Sequence, residues 1–203
     1  MPSPKYLKLL PHSTAILLLI LAQSPAPADS PVAATPPSAR LLTSPVLTDS
    51  DSCLSSGDGY LRAHLAGDIE AHIDWPNSGT HCDGEPKPKP PGVRLSFRRA
   101  AAGSPDLLFV FGLSDVIEGQ PAHTVGANLT IIQQGTSHIF GTLGDSRCTV
   151  DSLTQKPLKI AHSYRIEARG FCTQPAHAVR GDGLVLVSTF DFAGVVNYEF
   201  PKD

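Results

Sequence analysis

No segment of the 203-residue chain supplies the run of about 20 apolar residues that a bilayer-spanning helix needs. The only sustained apolar run, Ser13 to Ala22, is too short. Cys-x-x-Cys is absent, which removes the usual signature of redox exchange and of zinc ribbons, and Cys-x-x-Cys-His for covalent haem is absent with it. Neither Gly-x-Ser-x-Gly nor Ser-x-x-Lys occurs, so serine hydrolases of those types lack their local motif. There is no basic patch: 16 Lys and Arg face 19 Asp and Glu, which argues against nucleic acid and anionic membrane surfaces. No long 3.6-residue periodicity runs through the sequence, so helical bundles and doubly wound α/β folds are not expected. No internal repeat is present.

What is there begins with an export signal over residues 1–28. Lys5 and Lys8 precede the apolar run, and Ala26-Pro27-Ala28 forms a small-residue cleavage site. No Arg-Arg pair lies near the start, favouring general export over the twin-arginine route, and no cysteine near the cleavage point suggests a lipid anchor. Removing the signal takes two lysines and no acid, moving the formal charge from −3 to −5. The mature protein is expected to be soluble, without a membrane span, and either secreted or periplasmic. Residues 29–50, rich in Pro, Ala, Ser and Thr, read as a flexible linker. Residues 51–203 then form a single β domain.

Cys53, Cys82, Cys148 and Cys172 make an even set in an oxidising compartment, which predicts two disulfides. Of three pairings, Cys53–Cys82 and Cys148–Cys172 are favoured because each pair is close in sequence. Each bridge closes a loop worth on the order of 3 kcal/mol in the chain-entropy description.

The expected fold class is all-β, an antiparallel sandwich or barrel with at most one or two short helices. In GYLRAHLAGDIEAHIDW, residues 59–75, apolar residues alternate on both sides of Ala66-Gly67-Asp68. A three-residue loop there pairs Leu65 with Ile69, Ala63 with Ala71 and Leu61 with Ile73 on the apolar face, and His64 with Glu70 and Arg62 with His72 on the polar one. Further strands are predicted over 93–98, 107–113, 128–133, 138–142, 164–172, 184–192 and 195–200. LLFVF and LVLV, apolar on both faces, belong to central strands. A short helix is expected at 151–156, and EPKPKPPG, residues 85–92, as a polyproline-like connector whose PxxP spacing also suits an aromatic groove.

Several constellations bear on chemistry. Cys172 and His177, five residues apart, resemble a thiol and its base, but a strand-end cysteine in an exported chain is more simply paired. Arg180-Gly181-Asp182 matches an adhesion tripeptide and is equally what a tight turn requires. The metal candidate is His64, Glu70 and His72, which the expected hairpin places on one face with Asp74 next along it. Against it stands the plain reading of a solvated sheet face. Paired carboxylates of a glycosidase need no local motif, yet a domain of this size leaves little room for a walled cleft. Asn128-Leu129-Thr130 is a glycosylation acceptor pattern. Trp75 is in phase with Ile69, Ala71 and Ile73 and is assigned to the core rather than to sugar stacking.

Taken together, GYLRAHLAGDIEAHIDWPNSG, VFG at 110–112, RCTVDSLTQ at 147–155, ARGFC at 168–172 and FDFAG at 190–194 are similar to small exported proteins of Gram-negative bacteria. That resemblance implies a periplasmic or secreted location and no reaction type. The resulting expectation is an exported, non-catalytic module that binds a protein or small ligand, with no cofactor. The alternatives are a small metal-dependent hydrolase using the His64, Glu70 and His72 face, and a structural envelope protein.

Overall fold

Period-two burial governs the chain from its first strand. In β1, Tyr60–Gly67, Leu61, Ala63 and Leu65 are buried while Arg62 and His64 face solvent. This alternation is what one buried sheet face demands. The structure, a computed structural model, describes residues 52–89, 91–99 and 106–199. The export signal and the linker lie outside them.

Ten strands follow: β2 Ala71–Pro76, β3 His81–Pro88, β4 Pro91–Arg99, β5 Leu107–Ser114, β6 Val125–Gln133, β7 Ile139–Gly141, β8 Cys148–Pro157, β9 Ser163–Cys172, β10 Ala176–Ala178 and β11 Leu184–Asn197. Among the described residues there is no helix. All the strand pairings are antiparallel and form one sheet, ordered β2-β1-β11-β10-β7-β6-β5-β4-β3. Two strand pairs share the middle. Leu184 and Val185 of β11 pair with β10 and its residues from Phe190 to Asn197 with β9, while β6 pairs with β8 at one end and β7 at the other.

The sheet folds over so that its two wings face each other. Phe97 of β4 and Phe111 of β5 meet Phe192 of β11 at ring-centroid distances of 5.2 and 4.9 Å, and Trp75 of β2 meets Phe109 edge-on at 5.3 Å. Trp75 is therefore a core residue, as its phase predicts. A Cβ placed on Gly84 of β3 would stand 2.3 Å from the carbonyl oxygen of Val195, so only glycine lets β3 pass this close to β11. Close by, the Cys53–Cys82 disulfide ties the segment before β1 to β3, and Cys148–Cys172 joins directly opposed residues of β8 and β9. Both favoured pairings are present. β2 and β3 each pair with one neighbour only and are the free edges of the one continuous sheet, while β8 joins β6 to β9 and closes a circuit of six strands with β11, β10 and β7.

Several expectations are corrected. The predicted helix at 151–156 is the middle of β8. A bulge between Val150 and Ser152 puts buried Val150 and Leu153 three residues apart, which imitates helical spacing. Of the polyproline-like stretch, residues 85–88 end the edge strand β3 and residues 91 and 92 begin β4, places where a strand accepts proline, and residue 90 lies outside the described residues. The strands expected at 184–192 and 195–200 fall, as far as Asn197, on one strand, β11; residues 198 and 199 are not strand, and residue 200 lies outside the described residues. Ala193 and Gly194 do not break β11; Gly194 lets the Phe97 ring approach. The first hairpin is offset by two residues: Leu65 pairs with Ala71, His64 with His72, Ala63 with Ile73 and Arg62 with Asp74. An even offset keeps every side chain on its expected face.

Candidate functional site

The polar side of the β2, β1, β11, β9 and β8 ladder faces outward and collects chain-distant residues. Tyr60, Arg62 and His64 come from β1, His72 and Asp74 from β2, Thr189 and Asp191 from β11, and Glu167 and Arg169 from β9. Register aligns Arg62 between Asp74 on one side and Asp191 on the other, and Asp191 opposite Arg169.

These neighbours are bonded. The Tyr60 hydroxyl donates to Asp191 Oδ1 at 2.7 Å. Arg62 lies over the Tyr60 ring at 4.6 Å and makes ion pairs with Asp74 at 3.3 Å and Asp191 at 3.8 Å. Both pairs are well exposed, so each contributes at most about 1 kcal/mol. Their effect is to fix the direction of the guanidinium and the two carboxylates. Burial, reinforced by the Asp191 carboxylate, pushes the Tyr60 hydroxyl far above the ordinary tyrosine range, so it stays a proton donor through neutral pH. Beside it, Arg165 is held by Asp58 at 2.7 Å and Glu167 at 2.6 Å.

Two open grooves run along this face. One, of about 430 Å³, lies among Arg62, His64, His72, Asp74, Thr189 and Asp191. The other, of about 240 Å³, lies among Tyr60, Ser152, Thr154, Glu167, Arg169 and Asp191. Asp191 borders both. No family model matches the chain, and no curated protein or solved structure matches it either.

The sequence-predicted residues fall out as follows. His64 and His72 stand opposite each other with ring centroids 4.9 Å apart. Glu70 lies in the turn before β2, outside the ladder, so the expected His64–Glu70 pair does not form. Among the described residues no three His, Cys, Asp or Glu side chains gather closely enough to hold a metal ion. Cys172 is bonded to Cys148 and no cysteine is free, so Cys172 and His177 are not a nucleophile and base. Arg180-Gly181-Asp182 occupies the exposed tip between β10 and β11, closed by Ala178 N–H donating to the Gly183 carbonyl at 2.7 Å. Gly181, at φ +86°, supplies the left-handed residue this turn requires. The Asn128 amide is half-buried and donates to Asp145.

Sequence reasoning missed Tyr60, Asp191, Glu167 and Arg169. Tyr60 and Asp191 are 131 residues apart and meet only through the β1–β11 register. The one available signal was their polar phase within alternating strands.

Proposed function

We propose that the protein is an exported, non-catalytic binding module, secreted or periplasmic, that recognises an extended polar segment of a partner protein on the outer face of β2, β1, β11 and β9. The observation that carries this reading is the pair of adjoining grooves sharing Asp191, walled by pre-oriented charges of both signs. Small-molecule sites are enclosed and mostly apolar. These grooves are open; the larger has a mostly apolar lining bordered by Arg62, His64, His72, Asp74 and Asp191, and the smaller a mostly polar one bordered by Tyr60, Glu167, Arg169 and Asp191. Such a surface reads hydrogen-bond patterns along a chain and discriminates by charge placement. The two disulfides support an oxidising compartment. Among the described residues no helix is long and apolar enough to cross a membrane.

The test is capture from a periplasmic extract with chemical cross-linking, comparing the native chain with Arg62→Glu and Asp191→Lys. The expected result is a partner cross-linked to this face and lost with either reversal. A partner retained by both variants, or cross-links mapping to another face, would overturn the reading.

A further inference from the structure

We infer that His64 and His72 form a two-histidine chelate for a divalent transition-metal ion, copper(II), nickel(II) or zinc(II), on the outer face of the β1–β2 hairpin. The register places the two residues directly opposite across the ladder, and their rings stand 4.9 Å apart at an interplanar angle of 37°. Two imidazole nitrogens bound about 2.1 Å from one ion, at square-planar to tetrahedral angles, set the ring centroids roughly 4.5–5.2 Å apart. The observed centroid spacing lies inside that range.

The rings are also available. Both are exposed. Among the described residues His72 makes no hydrogen bond or ion pair, and His64 has only the Ser188 hydroxyl, 3.5 Å from its Nδ1 and from its carbonyl oxygen. Ser188 reaches that position because a register shift between His64 and Leu65 leaves it unpaired in β11. Bulges of this kind re-aim side chains. At 3.5 Å the Ser188 hydroxyl lies at the long limit of a hydrogen bond to Nδ1 and leaves Nε2 of His64 without a partner. β1 is held by β2 on one side and β11 on the other, so the pair is preorganised on a rigid ladder.

The chemistry selects the ion. Imidazole favours copper, nickel and zinc over magnesium and calcium, with copper(II) the tightest of the series. Two protein ligands leave the remaining positions to water. The pair borders the larger groove, but chelation needs no partner and does not rest on the binding reading.

The experiment is calorimetric titration of the untagged full chain with copper(II), zinc(II) and, as control, magnesium(II). One copper(II) or zinc(II) per chain is expected, with no magnesium(II). His64→Ala and His72→Ala should each weaken binding at least about tenfold, while His138→Ala and His177→Ala leave it unchanged. Both targeted rings are on the surface, so the metal-free thermal midpoints of all four variants should match the native one, which separates lost chelation from lost folding. Absence of one-to-one binding, or native affinity in His64→Ala, would overturn the inference.

Discussion

Leu143 holds a left-handed backbone, φ +44°, and leaves 76% of its surface in water. A side chain in that region costs roughly 1–2 kcal/mol, and glycine relieves it at an unfolded-state entropy cost of about 0.5–1 kcal/mol. Leu143→Gly is therefore expected to be neutral or to stabilise by up to about 1 kcal/mol in urea unfolding. Leu129→Ala removes a side chain that is 1% exposed and should cost about 2–5 kcal/mol. If Leu143→Gly instead destabilises by more than about 1 kcal/mol, the leucine contributes packing that its exposure does not reveal. At Asn128 the same accounting opposes glycosylation of the folded chain, since the amide is spent on Asp145 and lies against Gly112.

The connection from β7 to β8 is anchored by one carboxylate. Asp145 accepts from the Ser114 hydroxyl of β5 at 2.6 Å and from the Asn128 amide of β6. The Ser114 hydrogen bond, aided by Asn128 and Lys87 and opposed by burial, holds the carboxyl below its ordinary value of 3.8. A carboxylate lowered in the folded state contributes stability that is complete above the unfolded value and lost as pH falls through the folded one. Ser114→Ala should thus reduce stability at neutral pH by about 1–2 kcal/mol and flatten the decline below pH of about 4, as read from urea midpoints across pH. An unchanged acid limb would place the proton uptake elsewhere. Legibility from sequence divides along the same line of local against distant contact. Alternation identified β1 and β2, and LLFVF of β5 and LVLV of β11, apolar on both faces, lie in strands paired on both sides. Bulges, prolines and glycines defeated the same reasoning, because each changes the phase or hydrogen bonding that a strand is recognised by: Asp151 in β8, Pro86 and Pro88 in β3, Gly194 in β11. In the site, the facing of His64 and His72 was readable while their exact opposition was not, since it depends on loop length. Tyr60 with Asp191 was beyond reach, since nothing local encodes the β1–β11 pairing.

Across the whole molecule the wings are held by aromatic packing and by one covalent tie, Cys53–Cys82, which spans 29 residues. Replacing both its cysteines by alanine should cost about 3 kcal/mol. For a domain of this size that lowers the thermal midpoint by roughly 6–12 °C. An unchanged midpoint in calorimetry would mean that the aromatic contacts alone keep β3 against β11. The two ends of the sheet are chemically unequal. β3 carries Pro86 and Pro88, which have no N–H to offer, with Lys87 between them and Lys89 following. β2 carries no proline until Pro76 and keeps unpaired donors and acceptors along Ala71–Trp75. Strand addition between copies can therefore join one β2 to another, and both outer ends of the resulting pair are then proline-bearing. Strand addition through β2 would therefore stop at two chains, because neither outer end of such a pair offers an unbroken row of backbone donors.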